Sequence, residues 1–276
     1  MENVDLHCHS RASDGLLAPA DLVLRARAKG VTTLALTDHD DTSGLKEAAD
    51  TAAQQHLRFV PGVEISVTWN DTSVHIVGLG INPEDQALVD GLKWVRGGRT
   101  RRAALIAASL ADAGIPGTLA GAMSYVRNPD LISRTHFARY LVENGYARDV
   151  GSVFRNYLVG GKPGFVPHQW AALSEAVKWI RSAGGIAVLA HPARYKFARD
   201  ALHRFLAEFS DLGGLGIEVM TPNHTPQDCA VYAALAREFG MLASRGSDFH
   251  GPGESRVELG AIANLTEGLE PVWKAL

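Results

Sequence analysis

Three observations predict an α/β fold of barrel type. Short apolar runs alternate with helical segments in both arms of the chain, as in a largely parallel sheet. Most of those runs stop on a histidine or a carboxylate. The length, 276 residues, is ordinary for a β/α barrel with or without an insertion. Composition agrees with a soluble chain that buries a core, at 46% hydrophobic and 21% charged. A net charge of −3 provides no global field for nucleic acid or anionic membrane, so an anionic substrate needs a local cluster or metal. The two cysteines, Cys8 and Cys229, form no CxxC pair, which excludes a disulfide framework and suits a reducing compartment. The chain opens directly on a strand pattern, and no apolar run approaches the ~18 residues of a membrane span. A cytoplasmic protein is expected.

In order, Val4-Asp5-Leu6-His7-Cys8-His9-Ser10 reads as a half-buried strand, because Val4 and Leu6 alternate with polar residues. Side chains alternate across a strand, so His7 and His9 share a face and Cys8 turns to the core. Ser13-Asp14-Gly15 is a turn. Pro19 suits a first helical position, Leu22, Val23 and Ala26 have helical spacing, and Gly30 closes that helix. Thr33–Leu36 is a strand running into Thr37-Asp38-His39-Asp40-Asp41, and a helix follows over 44–56. Phe59–Ile65 is a strand ending on Glu64 and Ser66, and Ser73–Leu79 is another with His75 inside it.

From 84 to 112 the chain is helical and rich in Ala, Leu and Arg. Arg96, Arg99, Arg101 and Arg102 form a basic run, expected to be a solvated helix face. Gly114-Ile115-Pro116-Gly117 breaks the helix, Ser133-Arg134-Thr135-His136 opens a later one, and residues 159–164 form a loop containing Lys162. No strand pattern occurs over 97–166, so this stretch reads as a small α-helical insertion into a discontinuous body, 1–96 and 167–276. Beyond Trp170 the alternation resumes. A helix runs to Ser182, and Ile186–Ala190 is a strand that delivers His191-Pro192-Ala193-Arg194. Helices over 199–210 and 226–239 flank the strand Leu215–Met220, which is followed by Asn223 and His224. Met241–Ser247 is the last strand and delivers Asp248-Phe249-His250.

Most metal-binding residue types therefore fall at strand ends: His7, His9, His39, Glu64, His191, Asp248 and His250, with His75 lying within its strand. The carboxyl ends of barrel strands converge on one rim, so these groups are expected to meet. Six or seven histidines with three carboxylates exceed the roughly four ligands one zinc takes. They suit two or three divalent ions with Glu64 as bridge, since a carboxylate spans two cations and a neutral imidazole does not. Ligation by N and O without thiolate fits Mn²⁺, Fe²⁺ or Zn²⁺ and does not choose among them; manganese is the ion expected first. Asp38 is expected to orient an imidazole from behind.

His7-Cys8-His9 with Asp14, Thr37-Asp38-His39-Asp40, Glu64 followed by His75, Ala190-His191-Pro192 and Asp248-Phe249-His250 resemble, in order, the motifs of the PHP family (polymerase and histidinol phosphatase). The resemblance covers both arms, 1–95 and 166–276, and no ligand position of the pattern is missing. It implies a distorted seven-stranded barrel, three metals and hydrolysis of phosphate esters. Carried over, the ligands are His7, His9, Asp14, His39, Glu64, His75, His191, Asp248 and His250. His7, His9, Glu64, His191, Asp248 and His250 are the catalytic core of that set.

Ser133-Arg134-Thr135-His136, the Gly161-Lys162-Pro163 loop and His191-Pro192-Ala193-Arg194 are similar to stand-alone members of the family that act on nucleotides. That subgroup removes the 3′-phosphate of nucleoside 3′,5′-bisphosphates or trims short RNA from the 5′ end. A substrate with two phosphates needs an anion site away from the metals. Arg134, His136, Lys162 and Arg194 suit it, with His224 a further rim candidate. No Ser or Cys nucleophile with a base stands out. The expected chemistry is in-line attack by a metal-bridging hydroxide, with a rim histidine or bound water protonating the leaving alkoxide. The substrate is a nucleotide or short oligonucleotide, and neither a membrane nor an obligate protein partner is expected. The competing readings are a phosphatase for another small metabolite such as histidinol phosphate, a non-catalytic polymerase-associated module, and a metal-dependent amide or ester hydrolase on a related barrel.

Overall fold

The computed structural model describes residues 2–276. In chain order the elements are β1 (Val4–Asp5), α1 (Pro19–Ala28), β2 (Thr33–Leu36), α2 (Leu45–Gln54), β3 (Arg58–Trp69), β4 (Thr72–Leu79) and α3 (Gln86–Asp112). Next come α4 (Thr118–Met123), α5 (Arg134–Glu143), α6 (Val150–Val153), β5 (Ala171–Ala172) and α7 (Leu173–Ser182). Then follow β6 (Ile186–Leu189), α8 (Arg199–Asp211), β7 (Gly216–Met220), α9 (Pro226–Glu238) and β8 (Leu242–Arg245).

Sheet pairing runs β1-β2-β3-β4-β6-β7-β8, and β5 pairs with β3 off this path. The two ends meet. Leu6 N donates to Arg245 O at 3.0 Å, Asp248 N to His7 O at 2.8 Å and His9 N to Phe249 O at 2.8 Å. The seven strands thus form a nearly closed, distorted barrel. Gly246 lies at the closure, where an added Cβ would sit 2.3 Å from Cβ of His7, so only glycine lets the last strand come that close.

Two features differ from the expected pattern. The strand through Glu64 does not stop there; it runs on to Trp69 and turns back through Asn70 and Asp71, both at positive φ (43° and 59°). A two-residue hairpin turn needs φ > 0 at both central positions, which Asn and Asp tolerate. β4 consequently runs antiparallel to β3 and β6. That is why His75 lies inside a strand: β4 reaches the rim with its first half, and His75 pairs with Ser66, one diagonal step from Glu64. The first strand is also shorter than predicted. Beyond Asp5 the chain stays extended through single pairings, Cys8 with Phe249 and Cys8 O with Thr37 N.

Strand parity separates the layers. Val60, Val77 and Leu79 share the strand face of Glu64 and His75, and pack with Val4, Leu6, Ala35 and Val188 beneath the polar rim. Trp273 and Val272 from the C-terminal segment complete that cluster. The opposite parity, Val63, Ile65, Ile76 and Leu189, packs outward with apolar residues of the helices, such as Leu22, Ala48 and Ile180. Cys8 joins this outer layer, fully buried, with Sγ 3.1 Å from Ala35 O.

Between β4 and β5 the chain is helical. α3 is one 27-residue helix, capped by Asp85, whose side chain accepts from Leu88 N. It crosses position 97 without a break. Leu88 and Leu92 pack into the barrel's outer cluster, whereas Ala103, Ile106 and Leu110 join a separate cluster with Phe137, Leu141, Val153 and Leu158. Among the described residues no helix is long and apolar enough to cross a membrane.

Candidate metal centre

The rim residues meet around Glu64. Its Oε1 lies 2.8 Å from His75 Nδ1 and 2.9 Å from His191 Nε2. Its Oε2 lies 2.8 Å from His39 Nδ1 and 3.4 Å from Nε2 of both His7 and His9. Asp248 Oδ1 is 3.3 Å from His9 Nε2 and 3.6 Å from His7 Nε2, and Asp14 Oδ1 is 3.4 Å from His250 Nε2. Ligand-type atoms fall into four overlapping groups, each within 4.8 Å: His9–Asp14–His39–His250, His7–His9–Asp248, His7–Glu64–His191 and His39–Glu64–His75. The nine residues carried over from the family pattern are the nine in these groups, and Glu64 belongs to two of them.

This donor set fits divalent cations. Glu64 Oε2, Asp14 Oδ1, His9 Nδ1 and His39 Nδ1 are buried without a hydrogen-bond partner. His39 Nδ1 and Glu64 Oε2 are 2.8 Å apart, yet they are not aligned as donor and acceptor. Burying lone pairs that face one another costs several kcal/mol per group unless a cation lies between them. Backbone strain gathers in the same place: Asp40, His191 and Asp248 are non-glycine residues at φ 50°, 28° and 48°.

Electrostatics separate the imidazoles. Burial alone would lower His250, but Asp14 and Asp248 outweigh it and push it up to about 9. Burial is likewise outweighed at His7 by Glu218 and Glu64, and at His39 by Glu64 and Asp14, so both are raised. Burial together with neighbouring His250 and His39 drives His9 down to about 3. Glu64, Asp14 and Asp248 are buried, which would raise them, yet adjacent imidazoles, and Arg194 at Asp248, hold them well below the usual carboxylate range. Ion binding must therefore strip protons from His250, His7 and His39. Divalent-ion affinity is expected to climb as pH rises toward about 9 and to fall in acid. Calorimetric titration in two buffers of different ionisation enthalpy would read the released protons directly.

A cavity of about 650 Å³ opens over the rim. It is lined by His39, His75, His191, Asp248 and His250 and also by Arg99, Arg102, Ser133, Arg134 and Arg194. Arg134 donates to Leu158 O at 3.2 Å and lies over the Phe154 ring; Arg102 donates to Val166 O at 3.0 Å and lies over Trp170. Among the described residues neither has a carboxylate partner. Burial with Arg134 and Arg99 pushes Arg102 down to about 9, and burial with Arg194 and Arg99 pushes Arg134 down to about 10. Two crowded guanidinium groups without a counter-anion make a site for one. Arg194 donates through Nη2 to Asp248 Oδ2 and lies 3.3 Å from His191 Nε2.

The expected solvated arginine face is overturned for three of its four members. Arg99 is buried, donating to Asp40 Oδ2 and, at 3.2 Å, to Ser66 Oγ. Arg96 donates to Asp40 O at 2.7 Å, and Arg102 lines the cavity. Residues three apart share a helix stripe, so 96, 99 and 102 face the barrel while Arg101 alone of the four is exposed. Arg99→Met would strand a buried carboxylate beside His39 and should lower unfolding free energy by about 3–5 kcal/mol, read by urea denaturation.

Asp38 is a second correction. It does not orient an imidazole. Its carboxylate accepts from Ser10 N at 2.8 Å, Ser10 Oγ at 2.6 Å and Ser13 Oγ at 2.6 Å, fixing the loop that joins His9 to Asp14. Three candidate substrate residues lie outside the cavity lining. His136 is buried and caps α5, its Nδ1 accepting from Ser133 N at 3.0 Å. Lys162 is exposed in the Val159–Phe165 turn. His224 donates to Val219 O at 2.8 Å and stacks on Tyr232, buttressing the turn that carries Arg194.

Helix α5 and the residue before it reach the rim directly. Ser133 Oγ donates to Asp14 Oδ2 at 3.0 Å. Arg139 pairs with Glu254 at 2.7 Å and donates to Asp14 O at 2.6 Å. Glu218 and Tyr195, which no motif marked, stand behind His7 and His191. The readable signal for Glu218 was a carboxylate between Ile217 and Val219 in an apolar strand, where a charged residue needs a buried partner.

The PHP domain family model matches residues 5–222. A 3′,5′-nucleoside bisphosphate phosphatase of Chromobacterium violaceum is 50% identical over 276 residues, covering 100% of this chain and 97% of that protein. A 5′-3′ exoribonuclease Rnm of Escherichia coli is 42% identical over 272 residues, covering 98% and 92%. Among solved structures, one described as an amidohydrolase from Chromobacterium violaceum with bound sulfate and no metal superposes with a TM-score of 0.96 at 50% identity, covering 99% of this chain and 95% of that one. A metal-dependent phosphoesterase from Bifidobacterium adolescentis superposes with a TM-score of 0.84 at 26% identity, covering 99% and 93%. The ordered rim motifs, the nearly closed barrel and these full-length likenesses agree that the chain belongs to the PHP domain family.

Proposed function

We propose that this chain is a metal-dependent phosphoesterase that removes the 3′-phosphate of a nucleoside 3′,5′-bisphosphate. Two or three divalent ions, manganese first among them, would be held by His7, His9, Asp14, His39, Glu64, His75, His191, Asp248 and His250. The observation that carries the reading is one cavity lined both by the imidazole–carboxylate rim and by Arg102 and Arg134, which no carboxylate among the described residues neutralises. The full-length likeness to a protein named for that activity supports it.

Divalent ions in such a site supply Lewis-acid chemistry, acidifying a water and offsetting charge on phosphoryl oxygens. The chain's own residues do the rest. Glu64 and the rings around it fix the rim, with Glu64, His7, His9 and His191 fully buried. Arg102 and Arg134 bind the phosphate that is not cleaved, and Arg194, beside Asp248, faces the reacting one. Binding energy from that remote phosphate orients the ester at the rim and favours bisphosphates over monophosphates. The helices of 97–166 act as a cap unit that brings Arg102 and Arg134 over the barrel.

Phosphate release by the Mn²⁺-loaded protein from adenosine 3′,5′-bisphosphate, 5′-AMP and histidinol phosphate tests this. The bisphosphate is expected to turn over fastest; equal rates on all three would contradict a second phosphate site. A second reading, 5′→3′ trimming of short RNA, is favoured by the full-length likeness to exoribonucleases. Shortening of a 5′-phosphorylated oligoribonucleotide from its 5′ end in the same panel would support it.

A further inference from the structure

We propose that Glu218 is a positioning residue of the rim: its carboxylate keeps the proton of His7 on Nδ1, so that Nε2 turns to the metal centre, and anchors the main chain that carries His191. This rests on the metal-centre reading above but concerns a residue outside the nine ligands. Glu218 lies on β7, 1% exposed. Its Oε1 is 2.8 Å from His7 Nδ1, and its Oε2 accepts from His191 N at 2.6 Å. An ionised carboxylate only accepts, so the hydrogen in the first contact must sit on Nδ1. The opposite nitrogen then points at the rim, with Nε2 3.2 Å from His9 Nε2, 3.4 Å from Glu64 Oε2 and 3.6 Å from Asp248 Oδ1.

The second contact holds a strained segment. His191 has φ 28°, a conformation L-residues rarely adopt, and its amide is fixed by Glu218. Its ring is fixed from behind by Tyr195. The Tyr195 hydroxyl donates to Ala190 O at 2.9 Å and accepts from His75 N at 2.8 Å. With its one proton used, it can only accept from His191 Nδ1, 3.2 Å away, which leaves His191 Nε2 facing Glu64 at 2.9 Å. Both rings therefore present the same nitrogen to the centre. One carboxylate serves the extended chain just after β1, through His7, and the chain just after β6, through His191.

The chemistry requires a carboxylate rather than an amide, because both partners are donors. Glutamine has one oxygen and one NH₂, so in Glu218→Gln either one donor faces another or His7 moves its proton to Nε2, the nitrogen that should stay free for the metal. Side chains behind metal-ligating histidines typically change metal affinity by about 10–100-fold.

The test uses the full chain. Ring ¹⁵N spectra of the wild type, metal-free at a pH high enough to leave the ring neutral and zinc-loaded, with His7 assigned from His7→Gln, should show Nδ1 of His7 carrying the single proton in both. Glu218→Gln should weaken zinc binding by about 10–100-fold in chelator competition and reduce zinc per chain. An unprotonated Nδ1 in the wild type, or unchanged zinc affinity in the variant, would overturn the proposal. If the variant does not fold, the wild-type spectra decide alone. If the wild type binds no zinc, the metal-centre reading fails, while the His7 ring still reports on Glu218.

Discussion

Glu64→Gln should abolish most turnover, lowering kcat on the bisphosphate by on the order of 10³-fold or more. Glu64 is fully buried and its two oxygens lie within 3.4 Å of five imidazoles. An amide is neutral and offers one accepting oxygen, so it can neither serve two of the four ligand groups nor offset two cations. The loss should fall on kcat rather than KM, because on this proposal the substrate's remote phosphate would be held by arginines that do not touch Glu64. Steady-state kinetics with metal analysis of the same sample checks this: activity and ion content should fall together. A variant that loses ions but keeps turnover would separate the rim from the chemistry.

Arg134→Met should change substrate choice more than rate. Hydrogen bonds between charged partners contribute about 1.5–3 kcal/mol, so kcat/KM for the bisphosphate should drop by about 10–100-fold. Hydrolysis of a simple monophosphate, which has nothing to give Arg134, should stay near its starting level. Arg102 shares this environment: each guanidinium is lowered from its ordinary value by burial and by neighbouring cations. Removing one cation relieves its neighbour and so offsets part of each single loss, and Arg134→Met with Arg102→Met should therefore cost more than the sum of the two single changes. Competition with inorganic phosphate provides a readout independent of turnover, since its affinity should weaken in each variant.

The rim was legible because barrel topology turns a one-dimensional signal into a three-dimensional one. His7, His39, His191 and Asp248 each follow an apolar strand, and parallel strands end on one side. Glu64 and His75 fitted less well, since the Asn70–Asp71 turn creates a hairpin that carries β3 past the rim and brings β4 back through it. The anion site was only partly readable. Arg134 lies at the start of a recognisable helix, but Arg99 and Arg102 sit in a run of arginines whose orientation depends on which stripe of α3 docks. Side chains such as His136 and Lys162 have suitable chemistry for phosphate, yet one is consumed in a helix cap and the other projects to solvent. Glu218 shows the converse limit: its function is set by what lies across the barrel, His7 and the amide of His191, 211 and 27 residues away in sequence.

The multi-ion rim is tested most directly by the number and position of bound ions. Anomalous scattering from crystals of the Mn²⁺-loaded protein, with metal content measured on the same preparation, should locate two or three ions among the nine residues, with Glu64 between two of them. One isolated ion, or density away from Glu64, would contradict a shared centre on this rim.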